Sequence, residues 1–136
     1  MSSAQVKWIG GKRFVGIDST NHSVVLSSTD EGVGMKPSEL LLVALASCSS
    51  VDVVEIMTKK RQPLDLLEVS INAEQDSDPP WTFRKIHMIY RVKGKGIQEK
   101  DIAQAIELSH TKYCSVASTI SGVAEITTSF EIVPES

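Results

Sequence analysis

The side chains of this sequence best suited to covalent chemistry are two thiols, Cys48 and Cys114. Cys48 lies in Ala46-Ser47-Cys48-Ser49-Ser50, a cysteine set among three serines inside the most apolar stretch of the chain. Serine is a poor helix-interior residue because its hydroxyl competes for backbone groups, so three of them here predict a polar microcavity. Free cysteine is also among the most buried residue types and can simply pack, so a reactive and an inert thiol both stand at this point. A helix dipole cannot activate Cys48, which sits about three turns into the predicted helix, while the effect fades within one turn. Asp52, one turn on, would disfavour a thiolate if it faced the same way, so a reactive Cys48 requires an Arg or Lys from another element.

Cys114 is placed differently. It immediately precedes a short predicted helix beginning near Ser115, where its sulfur can meet free N–H groups and the positive end of the dipole. His110, four residues earlier, could share its face. A Cys/His zinc site would need three or four ligands. The remaining histidines, His22 and His87, fall in a turn and a strand without motif spacing, so no metal is expected.

The elements that must position these thiols follow from the pattern. Pro37 to Arg61 reads as one long helix, with Pro37, Ser38 and Glu39 suited to its start and Lys59, Lys60 and Arg61 to its end. Leu40 to Ala46 is apolar all round, which predicts burial on every side, and Ser47 to Asp52 interrupt it too early for a membrane span. A single chain of this size can hardly wrap such a helix, so an obligate dimer is expected. Before it, Gln5–Trp8, Phe14–Ile17 and Val24–Leu26 form a predicted antiparallel meander turned at Gly10-Gly11 and Asn21-His22. After it, Leu67, Val69 and Ile71 alternate with polar residues. Ile86, Met88, Tyr90 and Val92 then alternate again and give a strand with one dry face. Ile102, Ala105, Ile106 and Ser109 share a helical face between about 98 and 112. A short helix follows at 115–120, and Ala124 to Ile132 close the chain as a strand. Strands in a block, a helix, a hairpin, helices and a strand predict an α+β fold.

With 136 residues, 41% of them apolar and 23% charged, the composition is that of one soluble globular domain over residues 1–136. A net charge of −3 with no long basic cluster argues against nucleic-acid binding. No signal peptide is legible at the N-terminus. A cytoplasmic, reducing compartment is the default expectation, in which the two cysteines would not form a permanent staple.

LLVALASC within an apolar helix, and KYCSVASTI some 66 positions later, resemble the osmotically inducible protein C and organic hydroperoxide resistance (OsmC/Ohr) family. The resemblance extends over nearly the whole chain. It implies an intertwined α+β homodimer, with antiparallel sheets around a long buried helix and two cysteine pairs near the subunit interface. It implies that Cys48 is a peroxidatic thiol, that Cys114 resolves it, and that Arg13 and Glu39 assist. The implied substrate is an organic hydroperoxide, the implied reductant a lipoyl-type dithiol, and no metal or organic cofactor is required. Three positions depart from the peroxidase branch: Glu39 lies nine rather than ten residues before Cys48, Lys12 intervenes between Gly-Gly and Arg13, and Ser115 rather than Pro follows Cys114. PSEL, CSSVDVV and KYCSVAST are closer to a less characterised branch. The alternative on the same fold is a non-peroxidatic protein that binds a small ligand, its cysteines inert or serving another thiol transfer.

Overall fold

A computed structural model describes residues 2–135. The elements run β1 (Ala4–Trp8), β2 (Arg13–Asp18), β3 (Ser23–Ser27), α1 (Pro37–Lys59), β4 (Leu66–Gln75), β5 (Phe83–Lys93), α2 (Glu99–Leu108), a π-helical turn (Ser109–Tyr113), α3 (Ser115–Ile120) and β6 (Glu125–Ile132). The α+β class expected from the pattern is the one observed. The chain divides into two compact units, one running to Val43 and the other starting at Ala44, so the boundary falls inside α1.

The first unit is the antiparallel meander β1-β2-β3. The β1–β2 connection demands glycine. Gly11 has φ +55°, and a Cβ there would stand 2.6 Å from Glu31 Oε1. Little of the sheet is covered: β1 is exposed throughout, and of β3 only Leu26 and Ser27 are buried.

The second unit holds the larger core. Its sheet has the order β4-β5-β6, with β4 antiparallel and β6 parallel to the central strand β5. This sheet is therefore mixed, not wholly antiparallel. Parallel pairing needs a long crossover, which α2, the π turn and α3 supply between β5 and β6. The alternation along β5 holds: Ile86, Met88, Tyr90 and Val92 are all buried. On α2 the buried residues are Ile102, Ala105 and Ile106, and Ser109 continues that face, as the sequence predicts.

Helix α1 departs from expectation in two ways. It buries one stripe, Leu45, Ser49, Val53 and Met57, and not its whole circumference. On the opposite stripe Val43, Val51 and Val54 are exposed, with Leu41 beside them. By length and composition it is also long and apolar enough to cross a membrane, contrary to the sequence expectation. Its packing makes it a core helix, because Ser49 on the buried stripe is hydrogen-bonded to Tyr90 of β5.

Candidate functional site

Both thiols lie in the second unit and the structure brings them together. Cys48 flanks the buried stripe of α1 and is half-buried, Cys114 is 3% exposed, and neither is in a disulfide. The two side chains are near enough for Cys48 to favour the protonated form of Cys114. Cys114 is the N-cap of α3, and its sulfur accepts the Ala117 N–H at 3.3 Å. The expected cap geometry is present, but its expected consequence is reversed. Burial, with the nearby Cys48 second, pushes the Cys114 thiol up to about 11, against which the Ala117 and Val116 N–H groups pull only weakly. Desolvation of a thiolate outweighs one turn of helix dipole.

The three serines around Cys48 have separate fates. Ser47 and Ser50 bond back to the carbonyls of Ala44 and Ala46, which is how a serine settles inside a helix. Ser49 faces the core and enters a buried polar chain that the sequence reading does not anticipate. Its Oγ lies 2.6 Å from the Tyr90 hydroxyl, which lies 2.7 Å from His110 Nε2. On the other side Ser49 Oγ is 2.9 Å from Ser109 Oγ, which is 3.0 Å from Asp52 Oδ2. Ser49, Tyr90 and Ser109 are each fully buried.

The direction of these bonds follows from counting protons. Asp52, as a carboxylate, can only accept, so the single hydroxyl proton of Ser109 goes to it. Ser109 must then accept from Ser49, Ser49 from Tyr90, and Tyr90 from the Nε2–H of His110. Every member is satisfied, and the imidazole is held as the Nε2–H tautomer. Burial moves His110 below its usual value, with Asp52 pulling the other way, so the ring is neutral at pH 7. Burial also pushes the Tyr90 phenol up to about 12. The π turn makes the geometry possible: one extra residue in the backbone ring closes Cys114 N–H onto Ser109 O at 2.7 Å, with His110 in between. His110 thus serves Tyr90. Asp52 serves Ser109.

The other two predicted site residues belong to the first unit. Arg13 opens β2, and the carboxylate beside it is Glu31, at 3.5 Å. Glu31 also accepts from the Lys12 N–H. Glu39 stands exposed in the first turn of α1. Glu31 escaped the sequence reading because the segment between β3 and α1 carries no motif there. Among the described residues no cluster of His, Cys, Asp and Glu is arranged to hold a metal ion.

Residues 28–129 match the family described as OsmC-like protein. The chain belongs to the OsmC-like family. Protein YhfA of Escherichia coli K12 is 34% identical over 130 residues, covering 96% of this chain and 97% of that protein. A hypothetical protein from Aquifex aeolicus VF5 superposes with a TM-score of 0.90 at 29% identity, over 100% of this chain and 98% of that one. The organic hydroperoxide resistance protein OhrB of Bacillus subtilis superposes with a TM-score of 0.63 at 12% identity, over 96% and 98% of the two chains. At that identity the likeness to OhrB is one of fold. The 34% relative places this OsmC-like chain beside YhfA, in agreement with the departures from the peroxidase pattern noted in the sequence.

Proposed function

We propose that this OsmC-like protein reduces organic hydroperoxides through Cys48 and Cys114. The observation that carries the reading is that a half-buried and a buried thiol, both free, lie close enough for Cys48 to hold Cys114 in its protonated form. The Cys48 thiolate attacks the peroxide: an S–O bond forms, the O–O bond breaks, and the alkoxide takes a proton to leave as the alcohol. Cys114 then attacks the sulfenic acid, the S–S bond forms, and the Cys114 proton leaves with the hydroxide as water. A dithiol, of lipoyl type by family resemblance, restores both thiols by exchange. A protonated Cys114 suits the second role, since it holds its nucleophile in reserve until the sulfenic acid exists.

Arg13 is assigned the positive charge that a reactive Cys48 requires. The ion pair with Glu31 gives that residue the orienting role, with Glu39 as the competing assignment from family position. We further infer a homodimer, in which a second copy covers the Val43, Val51, Val54 stripe of α1 and the exposed β1-β2-β3 sheet. A three-stranded sheet needs a covered apolar face for independent stability.

The test is stopped-flow oxidation of the reduced protein by cumene and tert-butyl hydroperoxides, with intact mass on each product. The expected result is one alcohol per protein and a Cys48–Cys114 disulfide. Cys48→Ser should abolish consumption, Cys114→Ser should stop at a sulfenic or overoxidised Cys48, and Arg13→Ala should slow oxidation by about tenfold or more. Glu31→Gln should approach the Arg13→Ala rate while Glu39→Gln stays near wild type. Normal single-turnover oxidation in Cys48→Ser would overturn the assignment.

A further inference from the structure

A sizeable cavity is lined by neither thiol. It measures about 650 Å³ and lies in the second unit between α2, α3 and β6, with Ile106, Ala117, Ile126 and Phe130 among its apolar walls. That volume falls in the range of sites for small organic molecules. One nitrogen-bearing side chain lines it, His110, and this is the residue on which the buried Tyr90–Ser49–Ser109–Asp52 chain ends. We propose that this cavity is a second site, binding a small neutral molecule with an apolar body and one weakly acidic O–H, with His110 Nδ1 as its hydrogen-bond acceptor.

The argument runs through the tautomer. A neutral imidazole carries one N–H and one lone pair, and which nitrogen has which is set by the partner of the other. Here Nε2 is occupied by Tyr90 and must donate, because the chain terminates on a carboxylate that can only accept. The lone pair is therefore on Nδ1, and because His110 lines the cavity we assign that nitrogen as the acceptor offered to it. The chain is built from hydroxyls on three buried faces, those of α1, β5 and the end of α2. Packing alone would be served as well by apolar residues at those positions, whereas a connected series of donors polarises the imidazole toward a ligand.

The remaining walls narrow the ligand class. Glu107 and Glu125 are the charged residues of the lining, and no Lys or Arg is among the described residues that form it. An anion is therefore disfavoured. An apolar cavity alone would select the hydrocarbon over its hydroxylated analogue, since burying an unpaired O–H costs free energy. Glu107 and Glu125 can also accept an O–H, so a preference for the O–H compound is assigned to His110 by its loss when the chain behind the imidazole is cut.

The test uses three probes of one shape: 4-isopropylphenol, isopropylbenzene and 4-isopropylbenzoate. Binding is followed by the methyl signals of Ile106 and Ile126 and the imidazole nitrogens of His110. The phenol should bind about fivefold or more tighter than the hydrocarbon, the range of one net hydrogen bond, and the benzoate should not bind. The His110 signals should show the Nε2–H tautomer in the free protein and move chiefly at Nδ1 with the phenol. Tyr90→Phe cuts the chain without touching the cavity lining. It should bring phenol and hydrocarbon affinities within about twofold of each other while leaving that of the hydrocarbon unchanged, which also shows the cavity intact. Asp52→Asn should act in the same direction. Equal wild-type affinities would overturn the proposal. So would methyl shifts confined to Val51 and Val54, cavity methyls that no probe moves because a second copy fills the space, or a Tyr90→Phe protein that keeps the preference. Hydroperoxide turnover plays no part in any of these readings, so failure here leaves the thiol mechanism standing, and the converse.

Discussion

The buried state of Cys114 has a consequence that can be read one thiol at a time. An ordinary cysteine near 8.5 is about 3% ionised at pH 7. Cys114, pushed up to about 11, is ionised to about 0.01%, so its alkylation should be about 300-fold slower than that of a free peptide thiol from ionisation alone. Its 3% exposure can only slow it further. The assay is initial-rate labelling by iodoacetamide at several pH values, followed by digestion and mass mapping of both cysteines. Cys48, half-buried, should be labelled first at neutral pH. The Cys114 rate should climb about tenfold per pH unit with no plateau below about pH 10, as a thiol ionising near 11 requires. Cys48→Ala removes the second cause of the shift and leaves the first, burial, so it should speed Cys114 labelling without bringing it to the peptide rate. Unfolding in urea should bring both cysteines to one rate. Native Cys114 labelled within tenfold of the peptide, or levelling off below pH 9, would refute the claim that desolvation overrides the helix cap.

Tyr90→Phe removes the bonds to Ser49 and His110, and a long contact to Met88 Sδ, from a fully buried hydroxyl, and should cost about 1–3 kcal/mol. For a chain of 136 residues this lowers Tm by about 3–10 °C. Calorimetry of that variant, Ser49→Ala and the double variant should show clear non-additivity, because the pair shares the 2.6 Å bond; additive losses would sink the connected-chain reading. On the alkaline side, Cys114 and Tyr90 are both raised in the folded state. Their contribution is therefore complete below about pH 9 and is lost as pH rises toward 11 and 12, which denaturant titrations at pH 8 and 10.5 should show. His110 is lowered, so its contribution is complete above its ordinary 6.5 and falls away as pH drops below it; His110→Gln should flatten stability between pH 7 and 5.5. Light scattering in dilute native buffer should give twice the chain mass, and Val51→Glu, which charges the exposed stripe of α1, should break that assembly while a monomeric wild type would remove the dimer.

Local pattern carried the elements. The alternation of Ile86, Met88, Tyr90 and Val92 made β5 a strand with one dry face, and Ile102, Ala105, Ile106 and Ser109 marked one face of α2, because burial on a sheet or helix imposes a period that the chain displays directly. The position of Cys114 ahead of α3 was legible for the same reason. What the sequence could not show is which buried hydroxyls meet. Ser49, Tyr90 and Ser109 each stand out singly as a polar group on an apolar face, 41 and 60 positions from their partners. That each would need a partner follows from the cost of burying it unpaired. That the partners are one another, and that His110 and Asp52 close the two ends, depends on how α1, β5 and the π turn stack. The same holds for Cys114: its N-cap position predicted a lowered thiol, and only the surrounding atoms decided otherwise. A dipole is a property of the local backbone and travels with the sequence, whereas desolvation is set by everything that packs around the sulfur.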